Sequence, residues 1–250
     1  MASSLFDVML LVVFVFLLAG FIKGVIGFGL PTVSVSLLTA FLGLEVAIVT
    51  MLLPSLLTNV WQGLVGGHFL YLIRRFFWLL VSGVILTWIT SSALTGGYIP
   101  LFVVLLGVAI FVSSASSIFG LKISDPGQHE RWLSPVIGGL SGAISGVTGV
   151  FVLPAVDYLR ALTLTRDQLI QAMGIWFSVA TISLGSALGH HGLVQDSLGL
   201  LSAVGVVPAF IGMMLGQRLR MRISQEVFRI VFLTGLCILG LYLITMGITS

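Results

Sequence analysis

The stretch Gly20-Phe-Ile-Lys-Gly-Val-Ile-Gly27 returns as Gly142-Ala-Ile-Ser-Gly-Val-Thr-Gly149, with five identities in eight positions at an offset of 122 residues. The same offset pairs Glu45 with Asp167, Ile48 with Ile170, Met51 with Met173, Gly67 with Gly189 and His68 with His190. A proline follows each glycine run, Pro31 in the first and Pro154 in the second. Ungapped agreement from Gly20 to His68 marks an internal duplication. Repeated halves of this kind are a signature of secondary transporters.

Around these runs the chain is built for lipid. Of its 250 residues, 58% are hydrophobic and 8% charged, and the mean hydropathy is +1.21. An ordinary soluble domain carries about 25% charged residues. The 11 basic and 8 acidic side chains cannot cover a soluble globule of 26.7 kDa. A soluble enzyme, a nucleic-acid binder and a secreted disulfide scaffold are excluded. The lone Cys237 lies in an apolar run and reads as a packing residue. Met1 to Asp7 holds no Lys or Arg, and the apolar run from Val8 to Ile22 exceeds the hydrophobic core of a signal peptide. The start of the chain therefore reads as a retained membrane segment.

Apolar runs of helix-spanning length fall into eight blocks, near 5–42, 45–67, 75–95, 98–121, 133–164, 167–189, 196–217 and 225–248. Alternation with period two is absent, which speaks against a transmembrane β-barrel. The polar linker Lys122 to Arg131 divides the chain into an N-terminal membrane repeat at 1–121, a cytoplasmic linker at 122–132 and a C-terminal membrane repeat at 133–250. The first and fifth blocks, 38 and 32 residues long, exceed a single crossing of a bilayer. Both are interrupted by glycines followed by proline.

The basic residues decide how to read them. Apart from Lys23, they fall at Arg74/Arg75, Lys122/Arg131, Arg160/Arg166 and Arg218/Arg220/Arg222/Arg229. If every block crosses once, these groups split four against six between the two sides; if the fifth block returns to its starting side, all ten share one side. The positive-inside rule selects the second arrangement, with the basic side cytoplasmic. The predicted fold is an all-α polytopic membrane protein of two inverted repeats. Each has a Gly/Pro-broken, doubled-back helical element plus three transmembrane helices, and both termini are extracytoplasmic.

A helix broken inside a bilayer leaves backbone groups that only protein or a polar cavity can satisfy. The half-helix N-terminus that follows suits an anion. Lys23 sits within the first glycine run, and its counterpart is the neutral Ser145. An unpaired intramembrane ammonium costs about 2.5–3.5 kcal/mol on the insertion scale, and such residues mark function. The expected substrate site lies between the two breaks. Lys23 supplies charge there, Gly24, Gly27, Gly29, Gly146 and Gly149 allow backbone approach, and Ser145 and Thr148 supply donors. Asn59, Gln62 and Gln171 either reach substrate or bond between helices. Two bland readings stand beside this one: GxxxG spacing packs helices closely, and Lys23 snorkels to headgroups. Thr165-Arg-Asp-Gln168 reads as a capping box, Glu45 and Asp167 open their helices, and Asp157 with Arg160 reads as a surface pair. His68, His190 and His191 end helices, with pH sensing as the alternative role. No HExxH, CxxC or GxxxxGK[ST] is present, so neither a metal, a cofactor nor an enzymatic role is expected.

The sequence resembles the sulfite exporter TauE/SafE family. The likeness is carried by GFIKGVIGFGLP at 20–31, GGLSGAISGVTGVFVLP at 138–154 and the closing GQRLRMRISQEVFRIVFLTGLCILGLYLI at 216–244. It departs where Val150-Phe-Val stands in place of the family's further Gly and Pro. The resemblance implies a secondary transporter in the plasma membrane that exports sulfite or an organosulfonate such as sulfoacetate by alternating access. Its expected partners are a small anion and the lipid bilayer, with no nucleic acid. Uptake of another small organic anion and an anion channel stay as alternatives, and proton coupling and a homodimer stay open.

Overall fold

The computed structural model describes residues 5–120, 124–194, 196–220, 222 and 224–249, and among these the regular structure is entirely helical. Lys122 of the expected linker and both chain ends lie outside the described residues. The first half runs α1 (Leu5–Ile26), α2 (Leu30–Leu42), α3 (Leu44–Leu64), α4 (Phe69–Arg75), α5 (Phe77–Ser91, continued by a 3-10 turn to Thr95) and α6 (Ile99–Ile118). The second runs α7 (Glu130–Thr148), α8 (Ala155–Ala161), α9 (Arg166–His190), α10 (Asp196–Leu219) and α11 (Gln225–Thr249). The duplication is visible in the boundaries. α1 and α7 end at the equivalent residues Ile26 and Thr148, and α3 and α9 begin at the equivalent Leu44 and Arg166.

Among the described residues seven helices are long and apolar enough to cross a membrane: α1, α3, α5 with its 3-10 turn, α6, α9, α10 and α11. The protein is a multi-pass membrane protein. α7 falls outside that set because it opens on Glu130-Arg131 and carries a Gly/Ser-rich buried stripe, including Gly138, Ser141, Gly142, Ser145 and Gly146. The short α4 has no block of its own in the sequence. It buries only Leu72 and ends on Arg74-Arg75, two turns too brief to register as a hydrophobic run.

Both overlong blocks double back. Gly27 and Gly149, at equivalent positions, take φ of +99° and +70°, a left-handed conformation that costs glycine little. Beyond the first break, Ile22 and Leu18 of α1 share a groove with Val33 and Leu37 of α2, the order expected of a hairpin. Beyond the second, the Tyr158 hydroxyl lies 2.8 Å from Ser134 Oγ and donates to the Glu130 carbonyl at 3.1 Å. Thr163 Oγ1 donates to Asp125 Oδ2 at 2.8 Å, so the chain after α8 rejoins the chain before α7.

Glycine sets the close helix pairs. Gly20 and Gly24 face Ala209 and Met213, so α1 and α10 run parallel with backbones touching; a Cβ on Gly20 would stand 2.1 Å from the Ala209 carbonyl oxygen. α7 lies parallel on α5 in the same way, with Gly138, Gly142 and Gly146 against Leu79, Gly83 and Thr87. The equivalent helices α3 and α9 pair antiparallel, Gly63 on Gly174 and Ser55 on Thr181. α6 and α11, also equivalent, do likewise, Gly107 on Gly240 and Pro100 on Gly247. The first helix of each half thus leans on the other half, and the two halves share one core.

Candidate functional site

Lys23 lies in the last turn of α1, and its side chain is turned onto α3. It is 2% exposed. Its Nζ donates to Thr58 Oγ1 at 3.1 Å and to Asn59 Oδ1. Asn59 Nδ2 donates to Ser55 Oγ at 3.0 Å, and Ser55 Oγ lies 3.2 Å from Thr181 Oγ1 of α9. An ammonium offers three donors. Here the protein partners are neutral oxygens, and the ion pairs among the described residues, Arg75–Glu130 and Arg160–Asp157, do not involve Lys23. A snorkelling lysine sends its ammonium to water; this one is held inside by α3.

Lys23 lines a cavity of about 260 Å³ together with Gly24, Gly27, Gln62, Gln217 and Arg220, over apolar walls that include Trp61 and Met213. Arg220 comes from the turn after α10, and its buried Nε has no partner among the described residues. Two cations therefore line one cavity, and none of its lining residues is acidic. Lys23 is buried and Arg220 half-buried, and the lining holds no carboxylate to balance them. Gln62 fixes its edge: Nε2 donates to the Gly27 carbonyl at 3.0 Å and to the Ile170 carbonyl at 2.8 Å, joining the first break to α9.

The candidates read from the sequence separate into groups. Lys23, Gly24 and Gly27 line this cavity, and Asn59 holds the Lys23 ammonium without lining it. Gln171 stands beside it and holds the end of α3, donating to the Gly63 carbonyl at 2.9 Å and accepting from the His68 N–H at 3.0 Å. Ser145 and Gly146 face α5 instead: Ser145 Oγ donates to the Gly142 carbonyl at 3.0 Å and meets Thr87 Oγ1 at 3.2 Å, and Gly146 packs under Thr90. Thr148 Oγ1 accepts from the Val150 N–H at 3.2 Å and closes the second break, while Gly149 lies against Ile48 and Val35. Gly29 borders a different pocket, beside Phe28 and Arg160. The capping box is present at Thr165 and Gln168. His190 packs against Trp88 at 5.7 Å and His191 at 5.5 Å, remote in sequence from the cavity residues. Among the described residues no cluster of His, Cys, Asp or Glu is placed to hold a metal ion.

Arg220, read from sequence as part of a basic loop, and Gln217, read as the end of an apolar block, are the lining residues that sequence left unassigned. One signal pointed to them: Gly212 and Gly216 in α10 repeat the four-residue spacing of Gly20 and Gly24, and a parallel pairing of these runs carries the end of α10 to Lys23.

The model of the family described as "Sulfite exporter TauE/SafE" matches residues 12–243. No curated protein and no solved structure matches.

Proposed function

We propose, from the premise that this chain belongs to the sulfite exporter TauE/SafE family, that it exports sulfite or a small organosulfonate and binds it at the Lys23–Arg220 cavity. One observation carries the reading: two cations without an acidic residue in the lining share a cavity of about 260 Å³, with room for a small oxyanion. A sulfite or sulfonate group supplies the missing negative charge and accepts from several donors at once. Lys23, Arg220 and Gln217 are those donors, while Gln62, with both amide N–H groups on backbone carbonyls, holds the edge of the cavity.

Loading changes what the protein can do. Empty, the cavity holds uncompensated cations that favour contact with water; loaded, it approaches neutrality, and the same helices can close over it at lower cost. Alternating access follows if α1 with α10 rocks against α3 with α9, because the cavity is walled by both pairs. The antiparallel pairing of α3 with α9 and of α6 with α11 supports halves of opposite orientation in the bilayer. Arg75, which bonds Glu130, and Arg229, which donates to the Ser117 carbonyl at 2.6 Å, support one basic, cytoplasmic end with the termini opposite, in the plasma membrane.

The test is flux into proteoliposomes with sulfite, sulfoacetate, taurine and acetate as competitors, with and without a pH gradient. Saturable counterflow selective for sulfite or sulfoacetate is expected, and a response to the gradient identifies proton coupling. Unsaturable conductance would make the protein a channel, and a strict acetate preference would remove the sulfur-anion reading.

A further inference from the structure

The first helix break has a second face. Gly29 caps α2 with φ +104° and provides no side-chain cap. Pro31 has no N–H, so the Leu30 and Thr32 amides open the helix without intrahelical partners. Thr32 is 5% exposed, and its buried Oγ1 has no hydrogen-bond partner among the described residues. An orphaned buried hydroxyl at a helix N-terminus is a destabilising arrangement unless something accepts from it.

Thr32 and Gly29 border a pocket with Ser114, Val150, Val152 and Arg160. Val150 and Val152 belong to the second break, so this is where the breaks of the two halves meet. The enclosed space is about 20 Å³, enough for one water-sized group. Arg160 stands at the mouth with its side chain 32% exposed, its guanidinium 4.6 Å above the Phe28 ring and 3.8 Å from Asp157. Neither contact is a hydrogen bond, so the planar fork is free to bind oxygens bidentately. Arg229 donates at 2.6 Å to the carbonyl of Ser117, which also borders the pocket, so a second cation stands next to it.

We propose that the junction of the two helix breaks is a second anion station, which takes an oxyanion head with one oxygen enclosed against Thr32 and the α2 N-terminus and the others on Arg160. The chemical class, a sulfite or sulfonate group, rests on the reading above; the station does not. Gly27 borders the Lys23 cavity and Gly29 borders this pocket, so the first break separates the two. An anion passing from one to the other moves around the break while keeping a cation and helix N–H groups in reach.

Equilibrium dialysis of radiolabelled sulfite against the purified full chain in detergent tests this. Two equivalents are expected for the unaltered protein. Arg160→Gln and Thr32→Val should each weaken one of them about ten-fold or more and leave the other. Thr32→Val keeps the side-chain shape and removes an unpaired hydroxyl, so folding survives even if Arg160→Gln disturbs it. Lys23→Met should leave the Arg160 station occupied. A single equivalent in the unaltered protein, insensitive to Arg160→Gln and Thr32→Val and lost in Lys23→Met, would overturn the second station and leave the proposed function standing. Two equivalents unchanged in Lys23→Met, with one lost in Arg160→Gln, would uphold the station and remove Lys23 from substrate binding.

Discussion

Lys23 and Ser145 stand at the same place in the two halves, each four residues before the glycine that ends its helix. Lys23 turns onto α3, where Thr58 and Asn59 take its ammonium. Ser145 turns onto α5, where it meets Thr87, and its hydroxyl donates to the Gly142 carbonyl of its own helix. The asymmetry extends to the neighbours: the counterparts of Thr58, Asn59 and Gln62 are Ala180, Thr181 and Leu184. Duplication supplies a frame of broken helices twice, and a charged lining was built on one copy. The shared part of each half is the glycine contact; the part that differs is the chemistry.

The largest effect should come from attacking the shared part. Gly20 and Gly142 are equivalent, and a Cβ would stand 2.1 Å from the Ala209 carbonyl oxygen at one and 2.3 Å from the Gly83 carbonyl oxygen at the other. Neither backbone can yield without opening the helix pair. Gly20→Leu and Gly142→Leu are each expected to cost more than about 4 kcal/mol, enough to prevent accumulation of folded protein. Size-exclusion profiles of the two variants give the answer. Normal, monodisperse protein from one variant and none from the other would mean that the two halves do not share a packing rule.

The next effect separates the halves. Lys23→Met keeps an apolar stem and removes the charge, so sulfite affinity should fall ten-fold or more, about 1.4 kcal/mol. Ser145→Ala removes a hydroxyl engaged only within the α5–α7 pair and should leave affinity unchanged. Dialysis or calorimetry on both variants decides it. Equal losses would place the anion between the two glycine runs, as the sequence suggested, rather than on one side of the first.

Legibility follows the same division. The breaks, the doubling back and the Thr165 cap are local and were readable, because glycine, proline and capping residues act on the backbone next to them. Arg220 at the Lys23 cavity was not, since it depends on two glycine pairs meeting across 189 positions of sequence, Gly20 on Ala209 and Gly24 on Met213. Nor was the placement of Ser145 and Gly146 on α5: a glycine stripe in a sequence looks the same whether it faces a ligand or another helix.

A smaller effect sharpens the comparison at the next equivalent pair, Gly43 and Thr165, which cap α3 and α9. Thr165 Oγ1 accepts from the Gln168 N–H at 3.3 Å, and Gln168 Oε1 accepts from the Thr165 N–H at 3.1 Å. Gly43 has no side chain to offer and sits at φ +87°. Thr165→Ala should cost about 1 kcal/mol, read as a lowered melting temperature with anion binding intact. Gly43→Ala should also destabilise, for a different reason, because its backbone lies where a Cβ is strained. If Thr165→Ala melts like the unaltered protein, the cap is ornamental and α9 is held by packing alone.

The smallest effect concerns a tether present in the second half. Asp125 accepts from the Gly127 N–H at 2.9 Å and from Thr163 Oγ1 at 2.8 Å, tying the linker to the end of the second hairpin. The residue equivalent to Thr163 is Phe41, which is 69% exposed. The Gly127 bond, then the Thr163 bond, holds the Asp125 carboxyl below its ordinary value. A depressed acid stabilises the folded state above its unfolded pKa, near 3.9, and loses that contribution as pH falls through the folded value. The tether is therefore complete at neutral pH and should loosen only below about pH 4. Because Asp125 is fully exposed, solvent screens the effect, and it belongs to the local opening of the linker rather than to global stability. Hydrogen exchange across 124–130 should accelerate below about pH 4 beyond the intrinsic pH dependence, with the end of the first hairpin as internal control. Asp125→Asn should abolish the excess. An excess that persists in Asp125→Asn would detach the low-pH opening from this tether.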